Sequence, residues 1–149
     1  MEPTLGGLPR KLDLRDVRLG QAQAPVDLPS SYATDVSWLT PLFQGPTPYC
    51  GAHAGSTLKL ILDHLDTGEN KSYSPAYLWK RIKEIDGHLP KDGTDMRSIL
   101  KTLKNWGVCD LTLLESDVSL PIADYTDPKV ITKQMDENAY PRIIKAYGF

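Results

Sequence analysis

The sequence predicts one mainly helical domain whose helices are joined by long irregular connections, and three observations lead to that expectation. Apolar residues recur at helical spacing in three separate stretches, each with a start or end signal. Prolines interrupt the chain ahead of the first stretch, so that part is extended or looped. The elements do not alternate between strand and helix, and there is no glycine-rich phosphate loop, which argues against a doubly wound sheet.

Length and composition are those of an ordinary globular domain. The 149 residues are 40% hydrophobic and 24% charged, and the net charge of −2 gives no reason to expect nucleic acid or an anionic membrane as a partner. No stretch approaches the roughly 18 apolar residues of a membrane span. The N-terminus lacks the apolar core of a signal peptide, and two cysteines are too few for a disulfide scaffold. We therefore expect the cytoplasm or another reduced compartment.

Residues 1–25 are predicted to form an N-terminal arm, and residues 26–149 the body. The arm mixes glycine, proline and charge without a sustained period, and LDLRDVRL within it could form a short strand or a turn. The next stretch, as far as Tyr49, is broken by four prolines. Its apolar residues are expected to anchor it to the body: Trp38, Leu39, Leu42 and Phe43.

The first predicted helix runs from roughly Cys50 to Asp66, and Gly68 offers its end signal. Small residues fill its first turns, which indicates close packing against another element, because glycine is otherwise costly inside a helix. The apolar residues at helical spacing are Leu58, Ile61, Leu62 and Leu65, and the small ones are Gly51, Ala52, Ala54 and Gly55.

Two further helices are predicted. The second opens at Ser74–Pro75, a capping residue followed by proline at the first helical position, and runs to about Ile85. The third starts after Gly93–Thr94 and stops at Gly107. The expected buried stripes are Leu78, Ile82 and Ile85 in the second helix and Met96, Ile99, Leu100 and Leu103 in the third.

Fewer signals mark the rest of the chain. Residues 108–118 could hold a short strand, and residues 128–137 a last, weaker helix followed by 140–149. The aromatic residues of the second helix region are expected in the core or at its flank: Tyr73, Tyr77 and Trp79.

Cys50 lies at the predicted start of the first helix, where a thiol is easily turned into a thiolate. The unpaired N–H groups of a helix's first turn and the positive end of its dipole favour an anion, and the thiolate is the nucleophilic form. A nucleophile that attacks a carbonyl also needs donors for the developing oxyanion. The side-chain amide of Gln44 is a candidate donor, since GPTPY can fold the chain so that it faces the thiol; the backbone N–H of Cys50 could be the second.

The stretch QGPTPYCGAHA, residues 44–54, resembles the active-site segment of papain-like cysteine peptidases of bacterial or viral type. In this stretch Gln44 and Gly45 are followed by four residues and then by Cys50, which starts a helix and has an alanine two places after it. The six-residue separation between Gln44 and Cys50 is that of the family. The resemblance implies that Cys50 is the nucleophile and that Gln44 supplies the oxyanion hole.

Four further stretches carry the same resemblance. VDLPSSYATDVSW followed by PLFQG is similar to the start of the mature enzymes, and SYSPAYLW to their second helix. DGTDMRSILKTLKNWGVCD is similar to the next helix, particularly in bacterial members with GVC, and PRKLDLRDVRLG resembles a short leader. Together the stretches cover roughly residues 10–120.

The resemblance implies an α+β, papain-like fold. Residues 26–149 would form the left, mainly helical lobe with its central active-site helix, and the β-rich right lobe would be absent. Gly93 becomes a candidate backbone contact for substrate, although a turn at a helix start is an equally good explanation. We expect no cofactor and no metal site, because Cys50 and His53 alone give too few ligands.

The sequence departs from the family's pattern at two positions near the cysteine. Gly51 replaces the usual tryptophan, which indicates a sub-type of the family. Thr47 stands where many members have a second cysteine that forms a structural disulfide, and its absence fits a reduced compartment.

The catalytic base is the larger departure. The family takes a histidine and a following asparagine from the β-rich half, which we expect to be missing here. His64 lies on the same helix as Cys50, about 21 Å away along its axis, which excludes it. His53, at i+3, is expected to be packed in the core, and His88 to be a surface residue of a loop.

Two functions are therefore considered. The first is a cysteine-type peptidase that hydrolyses peptide or protein substrates once a covalent C-terminal half or a partner chain supplies the histidine and asparagine. The alternative is a catalytically inactive papain-like lobe that acts as a binding or structural module. Cys109 is expected to be a buried free thiol, with a Cys50–Cys109 disulfide as the lesser alternative.

Overall fold

The computed structural model describes Gly7 and residues 30–31, 33–86 and 93–145. Most of this part of the chain is helical or irregular, and its β-pairing is limited to isolated bridges. Its α-helices are α1 (Cys50–Thr67), α2 (Pro75–Ile85), α3 (Met96–Asn105), α4 (Ile122–Thr126) and α5 (Lys133–Ala139), with 3₁₀ turns at Pro128–Val130 and Tyr140–Arg142.

The three helices with clear sequence signals, α1 to α3, are confirmed. At the start of α2, the side chain of Ser74 accepts a hydrogen bond from the N–H of Tyr77 at 3.0 Å. Asp95 caps α3 in the same way, accepting from the N–H of Ser98 at 3.0 Å. Gly68 ends α1 in the left-handed conformation, with φ of 74°, as the sequence predicts.

The segment 108–118 does not form the predicted strand. It pairs with the chain ahead of α2 through one antiparallel bridge, between Tyr73 and Asp110. A turn follows at once, because the N–H of Leu113 donates to the carbonyl of Asp110 at 3.1 Å. The last predicted helix is also divided, since Thr132 starts α5 by accepting from the N–H of Met135 at 3.3 Å.

The core lies where α1, α2 and α3 pack on one another. A Cβ atom built on Gly55 would stand 2.7 Å from Cγ2 of Ile99 and 2.8 Å from Cδ2 of Leu78, so α1 approaches both other helices closely. This confirms the close packing that the small residues predict. The largest fully buried side chains include Trp79, Tyr49, Tyr73, Tyr77, Tyr125, Leu78, Ile82, Leu103 and Val108.

Several apolar residues expected inside are exposed. Met96 at the start of α3 is 50% exposed, and Phe43, expected to anchor the proline-rich stretch, is 81% exposed. Trp38, also expected to anchor that stretch, does so, because its ring stacks on that of His64 with 3.7 Å between centroids. Leu58, Leu62 and Leu65 also lie on the exposed side of α1.

The chain after α3, which we call the return segment (residues 106–145), folds back over the helices. The N–H of Ile144 donates to the carbonyl of Leu103 at 3.1 Å. Lys80, buried on α2, donates to the carbonyl of Tyr125 at 2.6 Å. Arg81, also on α2, forms an ion pair with Asp136 at 2.5 Å. One helix therefore holds two distant parts of the return segment through its cationic side chains.

The N-terminal arm, the short strand or turn within it, and residues 146–149 lie outside the described residues, apart from Gly7. Gly7 forms a parallel β-bridge with Thr94, just ahead of α3. In the described part of the chain, no helix has the length and apolar character that crossing a membrane requires.

Candidate active site

Cys50 is the first residue of α1 and is half-buried, so its thiol is not sealed in the core. Tyr49 is the N-cap that precedes the helix, and its carbonyl accepts hydrogen bonds from the N–H of Ala52 at 3.0 Å and of His53 at 3.1 Å. No side chain caps this end of the helix. Within the described residues, the N–H groups of Cys50 and Gly51 find no acceptor and are left for an anion, which is the geometry that the sequence predicts around Cys50.

An aromatic cluster fixes the residue immediately ahead of the cysteine. Tyr49 is 1% exposed and stacks on Tyr125 with 3.8 Å between ring centroids and 7° between planes. The ring of Trp79 meets Tyr49 edge-on at 4.9 Å. Such pairs stabilise a packed arrangement beyond the area that they bury. The start of α1 is thus held rigidly by α2 and by the return segment.

Gln44 lies in the tight turn that leads into α1. Its side-chain amide donates to the carbonyl of Thr47 at 2.7 Å, and the hydroxyl of Thr47 donates back to the carbonyl of Gln44 at 2.8 Å. Gly45 between them has φ of +64°, which favours glycine. The amide has two N–H donors, so the bond to Thr47 leaves one for another acceptor. Gln44 and Cys50 therefore occupy the two ends of one constrained turn.

Gly51, where the resembling family has tryptophan, packs directly against the start of α3. A Cβ atom there would stand 2.7 Å from Cγ2 of Thr94 and 2.9 Å from Cδ1 of Ile99. A larger side chain would have to displace the side chains of Thr94 and Ile99. Glycine at this position is thus explained by a neighbouring helix that occupies the space.

Gly93, the candidate substrate contact, lies in the same neighbourhood, just ahead of Thr94. It has φ of +82°, and its carbonyl accepts a hydrogen bond from the buried ammonium of Lys83. The hydroxyl of Thr94 donates to the carboxylate of Asp86 at 3.1 Å. The role of Gly93 in substrate binding stays a prediction.

The two described histidines, His53 and His64, do not complete the site. His53 is 8% exposed on the packed side of α1, as expected from the sequence, and burial lowers its pKa from 6.5. His64 is stacked on Trp38, and His88 lies outside the described residues. Among residues 33–86 and 93–145, no group of three or more His, Cys, Asp and Glu side chains could hold a metal ion.

Replacing His53 by leucine is expected to stabilise the protein. Its Nε2 atom is buried and has no hydrogen-bond partner in the described part of the chain, which costs about 1 kcal/mol. Because the folded-state pKa is lowered, the unfolded state takes up the proton first as the pH falls below 6.5, and stability is lost there. In urea unfolding from pH 8 to pH 5, the variant should gain stability at pH 7 and lose less on acidification.

Ala54→Leu, on the exposed side of the same helix, is the control, since it adds a leucine without removing a buried imidazole. An unchanged acid dependence in His53→Leu would contradict the assignment of His53 as a buried neutral side chain.

Cys109 contrasts with Cys50. It is 0% exposed, and burial, followed by the neighbouring carboxylate of Asp110, raises its pKa to about 12. Both cysteines are free, so the alternative of a disulfide between them is wrong for this structure. The expectation of a buried free thiol at Cys109 is confirmed.

A solved structure is similar to this chain: xylellain, a cysteine protease from Xylella fastidiosa. The two align with a TM-score of 0.70 and 21% sequence identity, over 99% of this chain and 59% of xylellain. The described residues have a papain-like protease fold. This chain thus spans 59% of the length of xylellain. No protein-family model and no curated protein matches the sequence.

Sequence reasoning missed two contributors to the site. The sequence marks Thr47 only as a replacement for the family's cysteine, whereas its hydroxyl donates to the carbonyl of Gln44 and holds the turn. Lys83 looks like one more polar residue of an amphipathic helix, yet it is 1% exposed. Its position four residues after Trp79, on the same face of the helix, is the only signal in the sequence that could have drawn attention to it.

Proposed function

We propose that this chain carries the nucleophile of a papain-like cysteine peptidase. In this proposal the thiolate of Cys50 attacks the carbonyl carbon of a peptide bond, and the resulting oxyanion accepts hydrogen bonds from the amide of Gln44 and the N–H of Cys50. The proton that the proposed histidine takes from the thiol passes to the leaving nitrogen, so that collapse of the tetrahedral intermediate releases the amine and leaves an acyl-enzyme. Water then cleaves the thioester and regenerates the thiol.

One observation carries the proposal: a half-buried cysteine starts a long helix, directly after a turn whose glutamine amide keeps a free N–H donor. The helix start offers unpaired N–H groups to an anion, and the Tyr49 cluster holds that start in place. The similarity to the fold of xylellain, a cysteine protease, adds support.

A histidine base and an orienting asparagine from outside these 149 residues belong to the same proposal. They would come from a further part of the same protein or from a partner chain. His53 is unsuited as a base, because it is packed in the core and its Nε2 is enclosed. Nucleophile and base act as a unit, so the residues described here would hydrolyse peptides slowly on their own.

The proposal is tested by the rate of alkylation of Cys50 with iodoacetamide at pH 7, in the native protein and in guanidinium chloride. Native surroundings that stabilise the thiolate should make Cys50 react about tenfold faster than in the unfolded chain. Peptide mass spectrometry separates the two cysteines, and Cys109 is the internal control. Its raised pKa, about 12, and its burial should make it far slower when native.

Equal native and unfolded rates at Cys50 would remove the support for a nucleophile. The second candidate, a lobe without catalytic activity that binds a partner, would then be preferred. One observation favours that candidate already: the described histidines, His53 and His64, are both engaged in packing rather than directed at a thiol.

A further inference from the structure

Within the described residues, the hydrogen bonds that hold Gln44 come from one partner, Thr47. The side-chain amide of Gln44 donates to the carbonyl of Thr47 at 2.7 Å, and the hydroxyl of Thr47 donates to the carbonyl of Gln44 at 2.8 Å. Each side chain thus bonds the main chain of the other residue, and the two bonds close a ring. A ring closed at two points restrains the amide and the backbone of Gln44 together.

The main chain of this turn has few donors of its own. Pro46 and Pro48 carry no N–H group, so neither residue can donate to the carbonyl of Gln44. In the described part of the chain, no main-chain N–H donates to that carbonyl. The hydroxyl of Thr47 therefore takes the place that a main-chain N–H has in an ordinary turn.

Packing alone does not fix Gln44. The residue ahead of it, Phe43, is 81% exposed, and both Gln44 and Thr47 are only half-buried. Val118 of the return segment meets the turn at Gly45, with its Cγ2 atom 3.3 Å from where a Cβ would stand. Hydrogen bonds therefore carry much of the restraint on Gln44.

The bond to Thr47 also sets the direction of the donor that Gln44 has left. A carbonyl oxygen only accepts, so the end of the amide that faces Thr47 is the NH₂ group and not Oε1. The two N–H bonds of a planar amide lie at a fixed angle, so the bond made by one of them determines where the other points. A donor stabilises an oxyanion well only when it is aimed before the reaction begins.

Resting on the proposed function, we infer that Thr47 is a positioning residue for the oxyanion donor. Its hydroxyl holds the backbone of Gln44, and its carbonyl takes one amide N–H, so that the other is presented to the oxyanion formed at Cys50. Thr47 acts through Gln44 and not on the substrate or the reacting atoms.

The test measures two rates at Cys50: acylation by p-nitrophenyl acetate, which builds an oxyanion, and alkylation by iodoacetamide, which does not. Thr47→Val removes the hydroxyl but keeps the size and branching of the side chain. It should acylate about tenfold more slowly than the wild type, because the donor is displaced but not removed. Its alkylation rate should stay at the wild-type value. Thr47→Ser, which keeps a hydroxyl, should acylate at close to the wild-type rate.

A double variant shows whether Thr47 acts through Gln44. Gln44→Ala/Thr47→Val should acylate no more slowly than Gln44→Ala alone, since without the amide no donor is left to position. Thr40→Val changes an exposed threonine of the same proline-rich stretch. It is the control and should keep both wild-type rates.

The inference is overturned if Thr47→Val acylates at the wild-type rate, if Thr47→Ser is as slow as Thr47→Val, or if the two effects multiply in the double variant. Acylation and alkylation that fall together in Thr47→Val would overturn it as well, because Thr47 would then support the start of α1 and not the donor. The proposed function fails by a different result, namely equal iodoacetamide rates at Cys50 in the native and unfolded protein.

Discussion

Alanine in place of Gly107 is expected to lower the free energy of unfolding by about 4 kcal/mol, at the upper end of what single substitutions do. Gly107 has φ of +72°, which an alanine adopts only at a cost. A Cβ atom there would stand 2.2 Å from the carbonyl oxygen of Ala139 and 3.0 Å from the carbonyl carbon of Arg142. These are backbone atoms, so the end of α5 would have to move away from α3.

Gly68→Ala is the matched control for this prediction. Gly68 has φ of +74°, and a Cβ atom there would meet nothing within 4 Å. It should therefore show the conformational cost alone, about 1 kcal/mol. Urea unfolding of the two variants beside the wild type measures the difference. A Gly107→Ala variant no less stable than Gly68→Ala would mean that the return segment is not seated as the structure shows.

Gln44→Ala is expected to slow acylation of Cys50 by about 100-fold, the usual effect of removing one oxyanion donor. p-Nitrophenyl acetate is a suitable acyl donor, because its leaving group departs without a general acid. The burst of nitrophenolate released on acylation is the measurement. Attack on iodoacetamide builds no oxyanion, so the alkylation rate of the same variant should stay close to that of the wild type.

Gln134→Ala, which removes an exposed glutamine on α5, is the control and should acylate at the wild-type rate. The alkylation rate also tests whether Gln44→Ala slows acylation by loosening the turn, because the Gln44 side chain donates to the carbonyl of Thr47. If acylation and alkylation fell together, the glutamine would have to be regarded as a support of the turn and not as an oxyanion donor.

Local signals made most of the helical fold predictable. The bounds of α1 follow from the stretch between Cys50 and Gly68, and the start of α2 follows from Ser74–Pro75. Both were predictable because caps and helical periodicity act within a few neighbouring residues. The turn at Gly45 and the close approach at Gly55 were predictable for the same reason. Each needs a residue without a side chain, and the sequence shows where such residues are.

Long-range contacts set the limits of what could be predicted. The expected strand at 108–118 is replaced by one bridge and a turn, and nothing near Asp110 in the sequence reveals that Arg142 and Asn138 bind it. The exposure of Met96 and Phe43 is likewise decided by what the fold brings near them. For the site, residue types and spacing identified Cys50 and Gln44 as candidates, but not the clamp by Thr47 or the buried charge of Lys83.

The stacking of Tyr49 on Tyr125 has a consequence for the order in which the protein is assembled. Tyr49, which precedes the thiol, packs against two aromatic rings, Trp79 and Tyr125, and the second belongs to a part of the chain that is synthesised later. A nascent polypeptide that has left the ribosome only as far as α3 would already contain Cys50, but it would lack Tyr125, which stacks on the residue ahead of the thiol. The surroundings of the sulfur are thus completed by a segment that is translated after the three large helices.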